Sequence, residues 1–140
     1  MSLVFPPIGD VDVYAENNPF MAYNHIRITD IGKDENGDYY AEAGVELMPE
    51  SMNLHGAVHG GLIYGLADCV AGVAARCDGN DYVTQSAYIN FLRNTGHGAV
   101  RARADIVRRG RHMAVIRVTV HDDADRLLAD CTVDMMRTGA

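Results

Sequence analysis

The 140-residue chain predicts an α+β fold: a curved antiparallel sheet of about six strands wrapped around one long buried central helix, in a single domain spanning 1–140. Two observations predict it. The segment from His59 to Ala75 is apolar on every side of a helical projection, apart from Asp68, and such a helix is a buried one. Two strand-like runs before it and four after it, four of the six alternating apolar and polar residues, are separated by short turn clusters. One-sided alternation with short turns means an antiparallel sheet with one apolar face, and only one long helix exists to cover it.

The elements follow in order. Residues 1–19 carry Pro6, Pro7, Gly9, Asn17, Asn18 and Pro19 and read as an irregular arm, with one short helix around Val11 to Glu16. A first strand is expected over about 22–31. The cluster Gly32 to Gly37 contains Asn36-Gly37, a strong hairpin signal. A second strand, about 38–48, sets Tyr39, Ala41, Ala43, Val45 and Leu47 against Tyr40, Glu42, Gly44 and Glu46. Residues 48–56 read as a loop and 58–76 as the helix, which Cys77 to Asp81 stops. Strands then run over about 82–92, 99–108, 112–121 and 127–137. Small residues such as Gly61, Gly65, Ala67 and Ala71 keep the helix thin enough for close approach to the sheet.

Composition narrows the function classes. The formal net charge is −7, which argues against partners that need a basic surface, nucleic acid and anionic membrane among them. Cys69, Cys77 and Cys131 are an odd set with no CxxC spacing, which fits a reducing compartment. The first residues have neither a basic region nor a long apolar run, so a cytoplasmic location is expected. The apolar helix is shorter than the roughly 20 residues needed to span a bilayer. All the basic charge except Lys33 is Arg; this reflects either base composition or the suitability of Arg forks for phosphate.

Asp68 is the chemical anomaly. Burying its charge costs several kcal/mol unless the site pairs or solvates it. It is therefore either paired structurally or turned toward a polar cavity where a reaction happens. Its neighbour Cys69 lies about 100° round the helix and reads as a small buried hydrophobe.

The run Asn53-Leu54-His55-Gly56-Ala57-Val58-His59-Gly60-Gly61, followed by Leu66-Ala67-Asp68, resembles the N-x-x-G-x-x-H-G-G…L-x-D pattern of hotdog-fold acyl-CoA thioesterases of the phenylacetic-acid-degradation (PaaI-like) type. The likeness extends to Ile89-Asn90-Phe91-Leu92-Arg93 and Arg109-Gly110-Arg111, and covers roughly residues 20–138. Asn94 departs from it, since many relatives have Pro there. The resemblance implies hydrolysis of an acyl- or aryl-acyl-CoA to free acid and CoA. It also implies a homodimer or a dimer of dimers whose sites are shared between subunits. The alternative on the same fold is a noncatalytic acyl-CoA-binding protein. A hydratase or dehydratase would need a His and carboxylate at a different spacing.

The site residues follow. A helix N-terminal N–H is aimed at negative charge, and the resemblance gives the Gly60 N–H the task of holding the thioester oxygen, with the Asn53 amide as second donor. Asp68 lies about two and a half turns beyond His59, too far along its own helix to serve a carbonyl held at Gly60. The resemblance resolves this by taking Asp68 from the other subunit, as nucleophile or as general base for water. His59 and Gly61 are implied at the substrate, His59 contacting it or holding the Asn53 loop. Thr84 matches a position where some relatives carry a hydroxyl that orients water or the carboxylate. Arg93, Arg108, Arg109 and Arg111 lie in the two turns where the phosphates of CoA are expected; a solvated turn is the other reading for each. His55 and His59 are four apart, but Gly56 and the loop context spoil a helical metal pair. No metal is expected, and no organic cofactor, since CoA is part of the substrate.

Overall fold

The computed structural model describes residues 17–138, so the arm over 1–16 and its short helix lie outside the described residues. Six antiparallel strands form one sheet in the order β1-β2-β4-β5-β6-β3. They are β1 (Arg27–Lys33), β2 (Tyr39–Glu46), β3 (Tyr82–Phe91), β4 (Ala99–Arg109), β5 (Met113–Asp122) and β6 (Leu127–Arg137). A short helix α1 (Pro19–Tyr23) precedes them, and the central helix α2 (Gly60–Arg76) lies against the sheet.

The alternation works as expected. Ala41, Ala43 and Val45 of β2, Val100, Ala102 and Ala104 of β4, and Ala114, Ile116, Val118 and Val120 of β5 are all buried. They meet Leu66, Ala67, Val70, Ala71, Ala74 and Ala75 of α2, each fully buried. Alanine on both faces lets helix and sheet approach closely. The polar face carries ion pairs such as Arg103–Glu42 at 3.0 Å and Arg117–Asp130 at 3.0 Å, which at this exposure contribute little. In β6 the alternation slips. Leu128 and Ala129 are both buried, because the β5–β6 register shifts between Val120 and His121.

Three expectations need correction. The first strand begins at Arg27 rather than 22, because Pro19–Tyr23 is helical. Asn18 caps that helix, its side chain accepting from the Met21 N–H at 3.1 Å, and Pro19 takes the first-turn position it tolerates. The central helix begins at Gly60 rather than 58: Val58 pairs with Met52 in an isolated bridge, and His59 is the cap. Nor is that helix buried all round. Gly61 and Tyr64 are exposed, and Gly65, Asp68 and Cys69 half-buried. Its open face lies next to β3, an edge strand whose Val83, Tyr88 and Phe91 are exposed.

Candidate active site

The first N–H groups of a helix lack intrahelical partners. At α2 the His59 imidazole takes one of them: Nδ1 accepts the Gly61 N–H at 2.8 Å. Nδ1 therefore carries no proton here, and in the neutral ring the proton sits on Nε2. The His59 carbonyl accepts from Leu62 and Ile63. The Gly60 N–H is left with no partner among the described residues. A Cβ at Gly60 would sit 3.4 Å from the Phe91 ring, so this amide lies beside an aromatic wall at the end of β3.

The Asn53 loop folds back on the start of the helix. The His59 N–H donates to Ser51 O at 2.8 Å, so the chain entering the loop runs beside the chain leaving it. Asn53 Oδ1 accepts from the N–H groups of His55 at 2.8 Å and Ala57 at 3.2 Å. The Asn53 N–H donates to Ala57 O at 2.7 Å. The loop consumes the side-chain oxygen and so fixes which end of the amide is free. Nδ2 has no partner among the described residues.

Asp68 stands on the half-open face of α2, and its Oδ1 accepts from the Thr84 hydroxyl at 2.5 Å. The structure thus brings together two residues 16 apart in the chain. Asp68 lies eight residues beyond Gly60, roughly 12 Å along the axis at 1.5 Å per residue. Cys69 is a poor rival nucleophile. Burial, helped by the neighbouring Asp68 charge, pushes its thiol up to about 12.

The arginines separate. Arg93 and Arg111 are exposed, and no partner engages their side chains among the described residues. Arg93 sits near the start of α2, two residues beyond Phe91, and Arg111 beyond the far end of β4. Arg109 is a correction. Its guanidinium pairs with Asp38 at 3.1 Å and Asp78 at 2.9 Å. It also donates to the carbonyls of Ala75 at 2.9 Å and Ala74 at 3.3 Å, and to Tyr82 Oη at 3.1 Å. A guanidinium has five N–H donors, and these contacts use all of its nitrogens. Arg109 caps the C-terminal end of α2, where a cation suits the helix dipole. It has no donor left for a phosphate.

Sequence reasoning missed several neighbours. Phe20 lies against Gly65, where a Cβ would fall 2.8 Å from its ring. A cleft of about 650 Å³ opens beside the start of α2, lined by Phe20, Tyr23, His25, Glu50, His59 and Leu62 among others. The Asn18-Pro19 pair was the available signal for the element that walls it. Among the described residues, no group of three or more His, Cys, Asp or Glu side chains is placed to hold a metal ion.

A family model described as the thioesterase superfamily matches residues 55–129, more than half of the chain. The chain belongs to the thioesterase superfamily. Its sheet and helix are the hotdog fold of that superfamily. The Escherichia coli PaaI protein from the phenylacetic acid degradation operon superposes with a TM-score of 0.84 at 22% identity, over 92% of this chain and 91% of that one. At that identity the likeness speaks for the fold alone. The smu.793 protein of Streptococcus mutans UA159, solved bound to acetyl-CoA, gives a TM-score of 0.74 at 28% identity, over 81% of this chain and 89% of that one. A Mycobacterium tuberculosis protein whose name marks it provisionally as an esterase is 29% identical over 117 residues, 79% of this chain and 80% of the relative. The superfamily match contains Gly60, Asp68 and Thr84, while Asn53 lies two residues before it.

Proposed function

We propose that this thioesterase-superfamily protein hydrolyses an acyl- or aryl-acyl-CoA to the free acid and CoA, at a site shared between two copies of the chain. The observation that carries this reading is the division of labour along α2. An unpartnered Gly60 N–H stands at its start, and a Thr84-held carboxylate stands on its half-open face beyond reach of that amide. The thioester oxygen accepts from the Gly60 N–H and from Asn53 Nδ2. One such donor is worth about 2.7–4 kcal/mol as charge develops on the oxygen. Asp68 of the second copy then acts in one of two ways. As general base it takes a proton from water, whose oxygen adds to the carbonyl carbon; the tetrahedral adduct expels the CoA thiolate, which picks up a proton. As nucleophile its oxygen adds first, CoA leaves, and water cleaves the resulting anhydride. A single turnover in isotopically labelled water separates the two.

Several features support the shared arrangement. Strand β3 is ten residues long and stands at the sheet edge. Its unpaired backbone groups are a template for a second strand, beside the half-open helix face that carries Asp68. An isologous pairing of this kind gives a homodimer, and two of these a tetramer. The cleft beside His59 offers Phe20, Tyr23 and Leu62 to an acyl group, with His59 and Gly61 at its edge. Arg93 and Arg111 remain for CoA phosphates; Arg109 does not. The smu.793 relative, solved with acetyl-CoA, makes CoA a reasonable ligand class. The three free cysteines suit a reducing, cytoplasmic setting. No metal or organic cofactor takes part in the steps proposed.

A panel of acyl-CoAs assayed with a thiol-reactive dye tests the reading. The expected result is thiol release that rises with enzyme concentration and saturates with substrate. Tight binding of acyl-CoA with no thiol released would replace hydrolysis by ligand binding.

A further inference from the structure

We propose that the turn joining β3 to β4, through Thr95 and Gly96, sets the position of the Asn53 amide, and that Gly96 is a positioning residue for the reaction. This rests on the function proposed above.

The Asn53 loop is closed by its own hydrogen bonds, Asn53 N–H to Ala57 O and Gly56 N–H to Asn53 O among them, but its tip is open to solvent. Leu54, His55 and Gly56 are exposed. Gly56 turns the chain at φ +74, a left-handed conformation that suits glycine. The loop is also tied to the turn beneath it. The Val58 N–H donates to Thr95 O at 2.8 Å. Gly96 lies so close to the Gly56 carbonyl that a Cβ at position 96 would overlap its oxygen. Gly96 does not have a left-handed backbone. What demands glycine there is the approach of another backbone, not the conformation of its own.

The turn is itself well anchored. Thr95 is 7% exposed, one of few buried polar side chains among the described residues. Its N–H donates to Asn94 Oδ1 at 2.9 Å, and its hydroxyl to His97 O at 3.4 Å. At the far side, Gly98 O accepts the Leu47 N–H at 2.9 Å, and Asp123 accepts the Ala99 N–H at 3.0 Å. These bonds tie the turn to the chain on both sides of it.

The link to chemistry runs through one peptide plane. The Gly56 C=O that meets Gly96 and the Ala57 N–H that holds Asn53 Oδ1 belong to the same peptide unit, and a peptide unit is rigid. Pushing its oxygen away from Gly96 tilts its N–H. The Asn53 carboxamide follows, and Nδ2 moves relative to the Gly60 N–H. Misplacing a catalytic group by 1 Å costs up to about a hundredfold in rate.

Gly96→Ala is the test, read by kinetics and by the side-chain amide resonances of Asn53. The expected result is a displaced Asn53 resonance pair and a fall in kcat of about tenfold, a fraction of what losing a donor outright costs. KM should stay within about twofold, since the amide acts on developing charge rather than on substrate binding. In an Asn53→Ala background the same substitution should cost less than about twofold, because the group it displaces is gone. Thr95→Ala removes the brace to His97 without adding bulk. It should give the same pattern more weakly, and it serves if Gly96→Ala does not fold. Unmoved Asn53 resonances overturn the positioning whatever the activity, and so does a tenfold loss that persists without Asn53. A wild-type protein that cleaves no acyl-CoA instead overturns the proposed function, and is recognised because it needs no variant.

Discussion

Thr84 on the edge strand β3 donates its hydroxyl hydrogen to Asp68 on the central helix at 2.5 Å, so the carboxylate is held by a strand that closes one side of the sheet. Thr84→Ala should lower kcat by about tenfold with little change in KM, the expected loss when a reacting group keeps its place but not its orientation. Thr84→Ser should restore most of it. Steady-state kinetics on both variants decide the matter; equal rates for wild type and Thr84→Ala would show that the hydroxyl does not orient the carboxylate.

Arg109 and Arg93 should behave as different kinds of residue. Arg109→Met strands Asp38, Asp78 and two helix carbonyls. Breaking a well-buried pair costs 3–5 kcal/mol; with partners partly open to solvent, about 2–4 kcal/mol is expected by urea unfolding. Its KM for acyl-CoA should stay close to wild type. Arg93→Ala should leave stability alone and raise KM about threefold to tenfold, as loss of one charge-assisted phosphate contact predicts. The reverse pattern would return Arg109 to the substrate.

The same cluster makes the fold acid-sensitive. Burial pushes the Asp78 carboxyl upward. The Tyr82 hydroxyl, Asn80 and the Arg109 guanidinium outweigh that and hold it below the usual carboxylate range. A depressed folded-state value contributes stability that is fully present above the unfolded carboxylate range and is lost as pH falls through the folded one. Unfolding free energy should therefore decline as pH falls below about 4, and Asp78→Asn should flatten that decline. An unchanged slope in Asp78→Asn would assign the acid lability elsewhere.

Cysteine chemistry should be silent. Burial raises Cys69 to about 12, and Cys77 and Cys131 to about 11. Since the thiolate is the reactive form, iodoacetamide at pH 8 should label the native protein far more slowly than the unfolded one, and labelling should not track loss of activity. Rapid native labelling of Cys69 accompanied by inactivation would reopen the thiol as a catalytic candidate.

What the sequence made legible follows from how local each signal is. The alternation of Ala41, Ala43 and Val45, and of Ala114, Ile116 and Val118, is a period-two pattern that assigns strand and face together, and the burial follows it. The helix start was misplaced by two residues because Val58 is apolar and buried like a helix residue, yet pairs with Met52. The open face of the helix was hidden by glycine. Gly61 and Gly65 carry no side chain to mark a polar side, so the segment read as buried all round. The first strand is expected from about residue 22, directly after the break over 17–20, although Asn18-Pro19 also spells a capped helix start. The motif fixed the positions of Asn53, Gly60 and Asp68, but not the use of Arg109, whose partner Asp38 lies 71 residues away. That pairing is a fact of the closed sheet, and no local pattern carries it. The dependence of Asn53 on Gly96 is of the same kind.

Subunit complementation tests the shared site most directly. Asp68→Asn and Asn53→Ala are each expected to lose kcat by about two orders of magnitude or more. When the two inactive proteins are mixed and allowed to exchange subunits, half of the dimers are mixed, and each mixed dimer holds one site with Asn53 and Gly60 from one chain and Asp68 from the other. Activity should return to about a quarter of wild type per chain. A mixture that stays at the sum of its two inactive parts, despite mixed dimers seen by native mass spectrometry, would contradict a site that takes Asn53 and Gly60 from one chain and Asp68 from the other.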